Sequence, residues 1–143
     1  MSQFLFSELS TFPAVDFRPP SSGGTIGLYY KALIKTIEKM LTELPILFRD
    51  EYNTGTVDGY ELAGLAWHQG IADGGDESMA KEYERNLANL IRDVRSDLSR
   101  PGLPVSIAST GMYDWEEPNT PNSTRHMVTA AQFAVVNSTL YPE

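Results

Sequence analysis

The chain holds two histidines, His68 within Trp67-His68-Gln69-Gly70 and His126 within Thr124-Arg125-His126-Met127. Imidazole is the side chain whose charge changes near neutral pH, so each is a candidate general base. His68 follows a short apolar run directly, and Gln69, Gly70 and Asp73 come just after it. A strand ending there brings Trp67, His68, Gln69 and Asp73 to one edge of a sheet, where ligands of α/β proteins gather. A structural hydrogen-bonding role for His68 competes with that reading. His126 reads as a surface residue near the start of a helix. The two lack the spacing of a zinc site, and the chain contains no cysteine, which removes thiolate nucleophiles, thiolate metal sites and disulfides. No cofactor is expected.

A serine nucleophile needs a base within hydrogen-bond reach and an acid to orient that base. No Gly-x-Ser-x-Gly turn occurs. Ser106 and Ser109 fall on or beside a second predicted strand that neighbours the first, so Ser109 is the serine expected to approach His68, with ordinary strand serines as the competing reading. Of the carboxylates Asp73, Asp76 and Glu77, the last two are explained by capping a helix, which leaves Asp73 as the candidate acid. Asn122-Ser123-Thr124 and Asn137-Ser138-Thr139 match glycosylation acceptors, a pattern common by chance.

The elements that must position these groups follow from hydrophobic periodicity. Ile26, Tyr30, Leu33, Ile37, Met40 and Leu41 recur at helical steps, predicting a helix from Thr25, its N-cap, to about Leu44, stopped by Pro45. Residues 45 to 59 read as a surface connection. Leu62 to Trp67 is a nearly continuous small-apolar run, suited to a strand covered on both faces. Met79, Tyr83, Leu87, Leu90, Ile91, Val94 and Leu98 mark a second helix from about Asp76 to Arg100, closed by Pro101-Gly102. Leu103 to Ser109 reads as the second strand, Asp114 to Ser123 as a turn-rich stretch over the sheet edge, and Thr124 to about Thr139 as a third helix. Residues 1 to 24 form a loop-rich segment whose phenylalanines Phe4, Phe6, Phe12 and Phe17 are packing anchors. Its end, Arg18-Pro19-Pro20-Ser21-Ser22-Gly23-Gly24, reads either as a linker or as a structured active-site loop, and the second reading brings Arg18 to a substrate.

At 143 residues one domain with one core is expected over the whole chain. A formal charge of −8 argues against a nucleic-acid partner, because no basic stripe exists to displace counterions from phosphates, and favours a neutral ligand such as a sugar. No apolar run approaches the roughly 18 residues of a membrane span, and Met1 to Phe6 lacks the basic flank of a signal peptide. The alternation of helix and strand predicts parallel crossovers and a three-layer α/β/α sandwich. Two clear strands are too few for a doubly wound sheet, so further strands are hidden or the chain is part of a larger domain. Unpaired strand edges of such a sheet also predict self-association into a homo-oligomer.

Trp67-His68-Gln69-Gly70 with Asp73, the helix carrying Tyr83, Leu87, Leu90, Ile91, Val94 and Arg95, the run Leu103-Pro104-Val105-Ser106-Ile107, and Ala131-Gln132 together resemble the sialate O-acetylesterase and acetylxylan esterase type of SGNH hydrolase. Asp16 to Gly24 is similar to the loop before a helix in bacterial members. The resemblance implies a flavodoxin-like α/β/α fold and hydrolysis of O-acetyl esters on carbohydrate, with a serine nucleophile and a histidine base. It puts Gln69 and Gly70 in the oxyanion-hole or substrate-edge block. The family's Gly-Gln-Ser-Asn-type nucleophile block has no counterpart before Asp16, and its C-terminal histidine block would follow Glu143, so the chain is expected to correspond to the middle of such a hydrolase. A noncatalytic carbohydrate-binding or assembly module is the rival expectation.

Overall fold

The computed structural model describes residues 17–47, 62–109 and 123–137. Their order is α1 (Leu28–Leu47), β1 (Leu65–Trp67), α2 (Glu77–Asp97), β2 (Val105–Ile107) and α3 (Thr124–Val135), with 3-10 turns at Pro20–Ser22 and Asp73–Gly75. β1 and β2 pair in parallel, Leu65 opposite Val105 and Trp67 opposite Ile107. The parallel pair joined through α2 is compatible with an α/β fold. The predicted stretches 48–61, 110–122 and 138–143, and the phenylalanines before Phe17, lie outside the described residues.

α2 organises the rest. Asp76 caps it, its Oδ1 accepting the Ser78 and Met79 amides at 2.8 and 3.0 Å, which satisfies donors that the first turn leaves unpaired. One face carries Ala80, Tyr83, Leu87, Leu90, Ile91 and Val94 into the core, where they meet Val128, Ala131 and Val135 of α3. Leu90, Val94 and Val128 are at most 2% exposed, and each such side chain contributes roughly 2 kcal/mol through removal from water.

A second face of α2 is polar and equally occupied. Arg18 donates to Glu82, the Asn89 amide donates to Ser22 Oγ at 3.0 Å, and Asp93 accepts both the Ser21 amide, at 2.8 Å, and the Ser21 hydroxyl. Tyr30 Oη donates to Asp97 Oδ2 at 2.7 Å, and burial together with that carboxylate pushes the phenol well above its usual pKa. Positions 82, 89, 93 and 97 follow helical spacing, so one polar stripe holds the whole stretch from Arg18 to Tyr30 against the helix.

Several boundaries differ from expectation. α1 begins at Leu28, so Thr25 is not its cap, and Gly27 stands before the first turn, its carbonyl accepting the Lys31 amide at 3.2 Å. The helix also runs through Pro45 to Leu47: so close to the helix end, the lost proline donor breaks a single bond of the last turn. α3 ends at Val135, short of the predicted Thr139. β1 and β2 are three residues each, and β1 is not covered on both faces: Leu65 is half-buried, Ala66 exposed and Trp67 buried. Small exposed residues, Ala66 and Ser106, face each other in register on the open side.

α2 closes with a Schellman motif, Arg100 N to Arg95 O at 2.8 Å and Ser99 N to Ser96 O at 3.0 Å, with Ser99 at φ 52°. A side chain in that left-handed conformation is strained. Ser99→Gly is therefore expected to stabilise the fold by about 1 kcal/mol, read as a higher urea midpoint at unchanged slope.

Acid stability follows from three carboxyls held below their usual range. The Ser78 hydroxyl does this for Asp76, Lys81 for Glu77 and Arg18 for Glu82. Depressed folded pKa values mean that the unfolded chain binds more protons in acid. Their contribution is complete above the ordinary carboxyl pKa of about 4 and is lost as pH falls through the lower folded values. Urea midpoints are expected to drop between pH 5 and pH 3, with a shallower drop in Glu82→Gln.

Candidate functional site

The chain leaves β1 through His68, Gln69 and Gly70, and the turn they form is built around the backbone carbonyl of Gln69. That oxygen accepts the Tyr83 hydroxyl from α2 at 2.7 Å and the Gln132 amide from α3 at 3.0 Å. Gln132 Nε2 also reaches Tyr83 Oη at 3.3 Å. A buried carbonyl has to be paired, and here two helices supply the donors. Burial pushes the Tyr83 phenol up to about 12, partly opposed by the Gln132 amide and the Trp67 indole, so it stays a donor at any physiological pH.

Gly70 is buried at φ 141°, a conformation side chains rarely adopt. A Cβ there would stand 2.8 Å from Val128 Cγ1 and 3.2 Å from both Gln132 Nε2 and Tyr83 Oη. Its carbonyl accepts the Gly74 amide at 3.0 Å, starting the 3-10 turn that leads into α2, and Thr124 Oγ1 fastens that turn to α3 through Gly74 O at 2.6 Å.

The Gln69 side chain turns inward and donates through Nε2 to Asp73. Asp73 is fully buried, at 0% exposure. The carboxylate expected at the sheet edge as the candidate acid is an internal partner of Gln69, because the 3-10 turn folds it beneath the strand end. Gln69 also lines a cavity of about 20 Å³, room for about one water, with Trp67, Tyr83, Asn86, Phe17 and Leu90. Trp67 packs edge-on to Phe17, 5.1 Å between ring centres, and Phe17 stacks on Tyr29 at 5.5 Å. Among the described residues the Trp67 indole N–H and both polar atoms of the Asn86 amide meet no partner in good hydrogen-bond geometry, although the indole is near enough to Tyr83 and the Asn86 amide near enough to Glu82 to favour their charged forms.

The remaining predicted site residues are placed as follows. His68 is exposed at the end of β1, and Ser109 is exposed two residues beyond β2. The register that sets Trp67 opposite Ile107 sends both out of neighbouring strand ends, but they make no hydrogen bond to each other. Arg18 is half-buried in its ion pair with Glu82, next to Phe17 in the cavity wall. His126, expected on the surface, is half-buried in the first turn of α3, whose cap is Ser123 Oγ accepting the His126 amide at 3.2 Å. Tyr83, Asn86 and Gln132 were not singled out for the site. Their signal was a polar group on the buried stripe of a helix, which needs a specific partner.

Residues 22–141 match the carbohydrate esterase family described as sialic acid-specific acetylesterase, SASA. The chain belongs to this family. The matched span holds the whole Trp67 to Asp73 turn together with Tyr83 and Gln132, while Arg18 precedes it. A protein of Arabidopsis thaliana described as a probable carbohydrate esterase is 41% identical over 58 residues, which are 38% of this chain and 22% of that protein. The chain thus matches under a quarter of that relative's length. No solved structure matches the chain. The family is one of esterases, and among the described residues no cluster of three or more potential metal ligands occurs and no helix is long and apolar enough to cross a membrane.

For this family member the turn geometry makes Gly70 irreplaceable. Gly70→Ala combines a strained φ with a 2.8 Å clash and is expected to destabilise by about 3 kcal/mol or more, measured by urea unfolding. A loss below about 1 kcal/mol would show that the turn moves freely.

Proposed function

We propose that the chain acts in the deacetylation of sugars, as a carbohydrate O-acetylesterase using serine-hydrolase chemistry. The observation that carries this reading is a SASA-family turn, Trp67-His68-Gln69-Gly70, at the C-terminal end of a parallel strand, with a buried carboxylate holding the Gln69 amide. In this reading His68 is the base and Ser109 the nucleophile. His68 takes the hydroxyl proton as Oγ attacks the acetyl carbon. The tetrahedral oxyanion collects hydrogen bonds from Gln69 and Gly70, each worth about 3 kcal/mol of transition-state stabilisation when well aimed. Collapse expels the sugar hydroxyl, protonated by His68, and water then releases acetate from the serine by the same steps.

Asp73 supports the reaction by fixing the Gln69 amide, not by transferring a proton itself. Trp67 forms the floor and Arg18 the rim. The charge of −8 favours neutral acetylated sugars over anionic ones. Family membership and the parallel strand pair favour a flavodoxin-like three-layer sandwich of the SGNH type, and the exposed strand edges favour homo-oligomers.

A second reading is favoured by the missing hydrogen bond between His68 and Ser109: the chain binds acetylated carbohydrate without cleaving it. Fluorophosphonate labelling and p-nitrophenyl acetate hydrolysis separate the two. The esterase reading expects labelling of one serine, and a loss of at least about a hundredfold in hydrolysis in His68→Ala and in Ser109→Ala with circular dichroism unchanged. Binding of an acetylated oligosaccharide with neither labelling nor hydrolysis supports the module instead.

A further inference from the structure

The Gln69 carbonyl and the Gly70 N–H belong to one peptide unit, which is planar and trans, so the two point in opposite directions. The carbonyl is pinned toward α2 and α3 by Tyr83 Oη at 2.7 Å and Gln132 Nε2 at 3.0 Å. The Gly70 N–H therefore points away from the two side chains that hold the carbonyl. The Gly70 N–H meets no acceptor among the described residues, while the carbonyl of the same residue is paired with Gly74. A backbone donor that no protein acceptor pairs is available to a ligand oxygen.

We infer that Tyr83 and Gln132 are positioning residues, a carbonyl clamp that aims the Gly70 N–H at a ligand oxygen carrying negative charge. This rests on the esterase reading for its catalytic meaning, where the ligand oxygen is the developing oxyanion, but the clamp itself is a property of the turn. Neither side chain touches the substrate. Each acts through the peptide it holds, and their agreement matters: Gln132 also donates to Tyr83 Oη at 3.3 Å, so the two donors hold each other over one acceptor. Gly70 is required by the same arrangement, since a Cβ would displace both donors, each 3.2 Å from it.

The test uses the full chain labelled with nitrogen-15, with sodium acetate, the product of the proposed reaction, as the probe. In the wild type, the Gly70 amide cross-peak is expected to exchange readily with water and to move on addition of acetate. Tyr83→Phe and Gln132→Met each remove one donor at similar size. Each is expected to halve the acetate-induced shift or more, and the double variant to abolish it, while α2 and α3 cross-peaks keep their dispersion. With p-nitrophenyl acetate, kcat is expected to fall about tenfold to a hundredfold at unchanged KM, because orientation rather than substrate binding is lost. If the double variant does not fold, the single variants decide. A Gly70 amide that is protected and indifferent to acetate in the wild type, or an unchanged response in the variants, overturns the clamp. A wild-type chain that hydrolyses no ester, but whose Gly70 response is lost in the variants, ends the esterase reading and leaves the clamp standing.

Discussion

α2 is buried along two stripes at once, and that constraint shapes everything around it. A helix with one apolar stripe needs a single partner layer, and its other side can face water. Here the apolar stripe of Leu87, Leu90 and Val94 meets α3, while Glu82, Asn89, Asp93 and Asp97 bond the stretch from Arg18 to Tyr30, with Asn89 and Asp93 buried beneath it, Glu82 half-buried and Asp97 exposed at its end. Polar groups covered by protein have to find partners, and each of these four does. At the border between the stripes, Tyr83 turns its hydroxyl to the Gln69 carbonyl and so ties the helix to the turn after β1.

The turn itself balances packing against chemistry. Its side chains split by depth: His68 faces solvent, Gln69 reaches inward to Asp73, and Gly70 has no room for a side chain at all. Rigid backbone next to an exposed imidazole is the arrangement that orientation-dependent catalysis needs, because a donor fixed before the reaction requires no reorganisation during it. The two-stranded parallel pair contributes the direction in which the turn opens and little of the rigidity, which comes from the helices.

What the amino-acid order revealed tracks how local the cause was. The start and buried stripe of α2 were legible from its periodicity and its Asp76 cap, which are local signals, while its end at Asp97 falls three residues short of the expected Arg100. The strand pair and its parallel sense were legible from the helix that separates them. Strand length was not: small apolar residues such as Ala63 and Gly64 look buried by composition, but with one open sheet face they are exposed. The end of α1 was missed because Pro45 bars a helix interior far more strongly than a last turn. The burial of Asp73 was not legible, because it depends on a 3-10 turn made with Gly74 and Gly75. Tyr83 reads as an ordinary member of a helical stripe and Gln132 only as part of the family resemblance, since their shared acceptor lies 14 and 63 residues away in sequence.

The contacts that hold the Arg18 to Tyr30 stretch span 64 to 72 residues of sequence for Glu82, Asn89 and Asp93, and 67 for Asp97. Short-range bonds within that stretch, such as Gly23 to Pro20, are few, so it has little stability of its own. Melting α2 removes every one of those anchors together. The first and the central thirds of the described chain therefore open as one cooperative unit, and a disturbance at the Ser21–Asp93 contact is felt along the helix that carries Tyr83.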